Sequence, residues 1–232
     1  MNSENHDTPV TWCWTLGFAV VAALLAAAQR LIPAGSFWHP FNFAMIGALG
    51  LWGGARLRPV VGLLLPLAVW FGTDLYFYLV KDWPAFNPFV YCAFLVYPLL
   101  GLTVRRSRSI GRIALTGTAG SLVFFLITNF GVWTMSWQNA DRVPPGHAFV
   151  TEAGAYNHQS VHYAADLKGL LACYAMGLPF YGQDAAGNDV PLPFGFLGNL
   201  LAGDLGFTAF LFGSHAVMLT ALRRRAPVPV SR

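Results

Sequence analysis

A chain of 232 residues that is 56% hydrophobic and only 10% charged has too much apolar surface for a water-soluble domain, where about a quarter of residues are charged. The net charge is +4, yet the basic residues lie between apolar runs rather than on a polar face. That pattern argues against nucleic-acid binding and fits the positive-inside rule for membrane proteins.

In chain order, residues 1–11 form a polar tail carrying Glu4 and Asp7 but no Lys or Arg. This is the wrong charge for a signal peptide, so the first apolar run is read as a retained helix, Trp12–Leu31. Ala19, Ala22, Ala23, Ala26 and Ala27 give it a small-residue stripe, suited to close helix packing within the chain or to docking a partner subunit. A second run, Phe41–Leu57, is barely long enough to span and ends at Arg56 and Arg58. Its Gly47, Gly50, Gly53 and Gly54 read as helix-packing glycines. Pro59 opens a third helix at a permissive first position, and a fourth runs from Pro88 to about Val104, with a kink expected at Tyr97-Pro98. The fifth, from about Ile113 to Met135, contains GSLVFFLITNFGVW (120–133) and follows the basic cluster Arg105–Arg112.

Beyond it lies a polar loop, 136–166, edged by the interfacial aromatics Trp133 and Trp137. The apolar segment 167–181 is too short to span and reads as re-entrant or interfacial. A loop with Asp184 and Asp189 precedes the last run, Phe194–Leu222, and residues 223–232 are a basic tail. With six spans across residues 12–222, ten basic residues fall on one side (Arg56, Arg58, Arg105, Arg106, Arg108, Arg112, Arg223, Arg224, Arg225, Arg232). Only Arg30, Lys81, Arg142 and Lys168 fall on the other. The expectation is therefore an all-α integral membrane protein: six transmembrane helices plus one short re-entrant or interfacial helix, with both termini cytoplasmic.

Counted from the helix ends, Asn42, Asp74, Asn129, Asn199 and Asp204 share one depth below the outer face. Polar groups are costly in lipid, so they should face one another or a cavity. With Phe130 and Trp133 beside them, they form the candidate small-molecule site, against the alternative of a hydrogen-bond network that only locks the helices. A proton- or cation-coupling role for Asp74 or Asp204 alone is a lesser alternative. His158, His162 and Asp166 are spaced i, i+4, i+8, a weak metal signal with no third ligand fixed by spacing, and no metal is assigned. Cys13, Cys92 and Cys173 lie in apolar runs without ligand spacing and read as packing residues. There is no phosphate loop or nucleophile elbow, so no catalytic residue and no cofactor is expected.

HPFNFAMIGALGLWGG, Asp74, GSLVFFLITNFGVW, KGLLACYAMGLPF and LLAGDLGFTAFLFG, in this order, resemble an uncharacterised family of bacterial inner-membrane proteins. That family is itself similar to the S components of energy-coupling factor (ECF) vitamin transporters. The resemblance implies a non-enzymatic subunit of the bacterial inner membrane that binds a vitamin-like micronutrient for uptake. It also implies partners in a transmembrane coupling protein and ATPase subunits, docked through the alanines of the first helix. The alternatives from other classes are a scaffolding membrane protein without ligand and a metal-dependent membrane enzyme built on His158, His162 and Asp166.

Overall fold

The computed structural model describes residues 9–32, 43–82, 86–105, 107–136, 163–178, 181–183, 189–191 and 195–225. Among these are seven helices: α1 (Pro9–Leu31), α2 (Ile46–Arg56), α3 (Pro59–Lys81), α4 (Pro88–Thr103), α5 (Ile110–Ser136), α6 (Leu167–Gly177) and α7 (Gly195–Arg225). Two three-residue strands, β1 (Tyr181–Gln183) and β2 (Asp189–Pro191), pair antiparallel in the segment read as a loop.

Helices α1, α3, α5 and α7 are long and apolar enough to cross a membrane. Their outward faces are greasy: Leu24, Val60, Leu79, Leu115 and Val217 are each between 65 and 71% exposed. Faces of this kind are tolerated in lipid rather than in water. The chain is thus a helical membrane protein with four helices of full spanning length among the described residues, where six were expected. Helices α4 and α6, with 16 and 11 residues, fall short of ~20 apolar residues, as does α2.

α2 is where the sequence-based expectation departs most from the structure. Phe41–Leu57 reads as a minimal span, but the helix has 11 residues, about 16 Å of rise, and every residue from Ile46 to Ala55 is buried. It packs against α1, α3, α4, α5 and α7, so it is the axis of the bundle. Its run is apolar all round because protein, rather than lipid, surrounds it. Glycines set the spacing. Gly53 lies against Gly62 of α3, and Gly54 against the Pro98 backbone and Gly101 of α4, so backbones meet where any side chain would collide. Trp52, Leu49 and Leu51 are fully buried around them.

Ahead of α2, residues Phe43 and Ala44 are non-helical although they lie inside the bundle. Gln29 of α1 compensates: its amide nitrogen donates to the Phe43 carbonyl at 2.9 Å, and its amide oxygen accepts from the Met45 N–H at 2.8 Å. Irregular backbone at membrane depth needs such internal partners. At the other end of α2, Arg56 donates to the Arg105 carbonyl at 3.0 Å and Arg105 to the Leu57 carbonyl at 2.9 Å. Arg58 stacks 5.2 Å from the Trp12 ring, so Arg56, Arg58 and Arg105 gather at one end of the bundle with the start of α1.

Helix ends follow local chemistry. Pro59 and Pro88 occupy first-turn positions, and the Asn87 side chain caps α4 by accepting from the Phe89 N–H at 3.0 Å. α6 runs back along the C-terminal half of α5, where Tyr174 donates to the Leu126 carbonyl and Cys173 lies fully buried.

Candidate functional site

The structure divides the predicted polar layer into three separate clusters. The first is built on Asp74. Arg30, in the last turn of α1, donates to Asp74 Oδ1 and to Thr73 Oγ1, and its guanidinium lies 3.4 Å from the Trp70 ring centre. Tyr91 of α4 donates to Asp74 Oδ2 at 2.8 Å, and the Phe86 N–H approaches the same oxygen at 3.4 Å. Both carboxylate oxygens are occupied and the charge is balanced, so this cluster ties α1, α3 and α4 together. The aromatics here serve the same end: Trp70 stacks on Phe94 at 4.5 Å.

Asn129 centres the second. Its amide nitrogen bonds back to the Phe125 carbonyl at 2.8 Å, and its own carbonyl accepts from Cys173 Sγ at 3.4 Å. Gly177 leaves the space that the Asn129 amide fills. One turn on, Trp133 Nε1 donates to the Ala164 carbonyl at 2.9 Å, and Ser136 meets the Tyr163 backbone. These contacts fasten α6 and its leading segment to α5. Phe130 packs on Trp133, with ring centres 5.4 Å apart, and is 40% exposed.

Asp204 forms the third, and it differs in kind. It is 1% exposed on the inner face of α7. Its Oδ2 accepts from Tyr97 Oη of α4 at 2.5 Å and from Ser121 Oγ of α5 at 2.6 Å. Its Oδ1 has no hydrogen-bond partner among the described residues and lies against Gly47, in the first turn of α2. The N-cap residue Met45 supplies no side-chain cap, so the first-turn N–H groups form a positive helix end inside the bundle. Three other buried polar atoms lack partners among the described residues: Asn199 Nδ2, Thr208 Oγ1 and Trp52 Nε1. Asn199 and Thr208 lie on α7 on either side of Asp204.

The clusters sit at different depths. Tyr91 and Tyr97 are six residues apart on α4, which puts Asp204 about 9 Å deeper than Asp74. Ser121 and Asn129 are eight apart on α5, about 12 Å. Counting depth from helix ends assumes that every helix starts at one plane, and the 31-residue α7 does not. Of the predicted site residues, Asp204 and Asn199 remain together on α7. Asp74, Asn129, Phe130 and Trp133 lie elsewhere, and Asn42 is outside the described residues. Ala19, Ala22 and Ala26 are buried in the chain's own core, with Ala23 and Ala27 half-buried. His158 and His162 also lie outside the described residues. Asp166 is the N-cap of α6, accepting from the Gly169 N–H at 2.7 Å, and no three-residue metal-binding group occurs among the described residues.

Sequence reasoning passed over Tyr97, Ser121, Gln29 and Thr208. Tyr97 was visible only as the residue before Pro98, and its burial beside a carboxylate depends on a helix pairing that no local pattern reveals.

Greasy outer faces, an axial half-helix and a polar interior define an integral membrane helical bundle. The chain belongs to a family of unknown function, DUF6580, whose model matches residues 11–228. No curated protein and no solved structure matches it.

Proposed function

We propose that this protein is a membrane-embedded binding subunit for uptake of a small, vitamin-like molecule, working as the S components of energy-coupling factor transporters do. The observation that carries this reading is the uncapped start of α2 inside the bundle, faced by the unpartnered Oδ1 of Asp204. A helix that begins within the membrane presents N–H donors and a positive dipole end, a common basis for substrate sites in transporters. Asp204 Oδ1 and Asn199 Nδ2, both buried on α7, are polar atoms left for a ligand to meet, so the fitting ligand carries polar groups on its rim, as heterocycles do. The irregular Phe43–Met45 backbone, tied to α1 through Gln29, is the element that would move to admit it. In this reading the basic end of the bundle faces the cytoplasm of a bacterial cell. A coupling protein and ATPases would supply energy, and Ala23 and Ala27 are the stripe residues left accessible for docking.

A second reading, a scaffold without ligand, draws on the Asp74 and Asn129 clusters, whose polar groups are engaged in joining helices. Native mass spectrometry of gently extracted protein separates the two. A discrete small-molecule mass on the wild type, lost in Asp204→Asn, supports the binding subunit. A wild type without bound mass, even from ligand-rich medium, favours the scaffold.

A further inference from the structure

Beyond Asp204, which the binding reading uses, buried polar residues that it does not use continue along the inner face of α7. From Asp204 the next turn presents Thr208, about 6 Å along the axis, and two turns further stands His215, about 10 Å beyond. All three are buried, at 1, 3 and 5% exposure. Thr208 Oγ1 has no partner and lies beside Gly117 of α5. Trp52 Nε1, also unpartnered, belongs to the ring that packs edge-on against His215 at 5.3 Å. His215 Nε2 is 3.2 Å from Thr15 Oγ1, which in turn donates to the Thr11 carbonyl near the start of α1. Leu211, fully buried, stands on the same face between Thr208 and His215, so the polar groups form two stations, one in the middle of the bundle and one toward its basic end. Buried hydroxyl and indole groups are ordinarily paired with protein or with ordered water, and at each station one has no partner among the described residues.

Asp204 heads this line of residues without a counter-charge. The groups facing it are Tyr97 of α4, Ser121 of α5, the Gly47 backbone of α2 and its own neighbours on α7. No Lys, Arg or His contacts it among the described residues. Among the described residues, those around His215 are Thr15 and Phe18 of α1 and Trp52 of α2, none of them charged. A carboxylate in such surroundings is costly, and the neutral acid is the favoured form. With two hydroxyls donating to Oδ2, the acid proton belongs on Oδ1, the oxygen with no other partner.

We infer that Asp204 is a proton-carrying carboxyl that exchanges its proton with His215, through Thr208 and intervening water, toward the basic end of the bundle. In the transfer the Oδ1–H bond breaks and an N–H bond forms on the imidazole, leaving carboxylate and imidazolium. The Tyr97 and Ser121 hydroxyls and the positive end of α2 stabilise the carboxylate. Trp52 Nε1 only donates, so it orients water and does not pass the proton. This assignment stands apart from the uptake reading and needs no bound ligand.

Infrared spectroscopy of the full-length protein in phosphatidylcholine vesicles tests it. At neutral pH the wild type should show a protonated-carboxyl stretch that disappears in Asp204→Asn and persists in Asp74→Asn. On transfer to D₂O that band should shift, and Thr208→Val or His215→Phe should slow the shift about tenfold, the effect of one lost hydrogen bond on a barrier. Thr208→Val is isosteric, so an unchanged thermal transition certifies its fold. A wild type without the band, or a band that survives Asp204→Asn, overturns the protonated carboxyl. Exchange unaltered in both relay variants overturns the route.

Discussion

Asp74 and Asp204 are both buried carboxylates in an apolar bundle, and they meet the cost of burial in opposite ways. Asp74 is surrounded: Arg30 supplies the counter-charge, Tyr91 and the Phe86 N–H take up Oδ2, and Trp70 covers the guanidinium. Among the described residues Asp204 receives two hydroxyls on one oxygen and nothing on the other, with no cation in contact. A satisfied ion pair joins helices, whereas a carboxyl with one oxygen unpartnered is what the proposals of binding and proton transfer rest on. Aromatic contact links the two regions: Trp70 stacks on Phe94, and Phe94 lies 6.3 Å from Tyr97, which holds Asp204.

The largest expected effect is on the structural side. Asp74→Ala leaves the largely buried Arg30 without its counter-charge, and the loss should be about 3–5 kcal/mol in thermal or denaturant unfolding in detergent. Replacing both partners by leucine should recover much of it, because no orphaned charge remains. Gly54→Ala comes next. The added methyl meets the Pro98 backbone, so α2 must move off α4, at about 1–3 kcal/mol of overpacking. Asp166→Ala removes the α6 cap and should cost about 1 kcal/mol, read as earlier exchange of amide protons in 167–170. Asp204→Asn is expected to be smallest, within about 1 kcal/mol of wild type, because an amide oxygen still accepts from Tyr97 and Ser121 and no charge is orphaned.

Much of the fold was legible in the sequence for simple reasons. Pro59 and Pro88 start helices because proline suits a first turn, and the long runs of α1, α3, α5 and α7 exceed what a membrane crossing needs. The 167–177 run was recognisably too short to span, and it is an 11-residue helix folded back on α5. The described α2 is shorter than the expected span, because hydropathy reports burial without saying whether lipid or protein provides it, and Ile46–Ala55 is buried in protein. Asp204 stood out because a charged residue in an apolar run is costly wherever it points. Its partners did not, since Tyr97 and Ser121 come from helices separated by 107 and 83 residues of chain. Asp74 was placed in the same site because its real partner, Arg30, was counted only as a loop charge.

The contrast between the two aspartates is tested most directly by unfolding Asp74→Asn and Asp204→Asn side by side with the wild type, in one detergent. Asp74→Asn should melt well below wild type, and Asp204→Asn should melt with it. If Asp204→Asn loses as much stability as Asp74→Asn, Asp204 is a second structural tie, and the distinction drawn between the two regions is wrong.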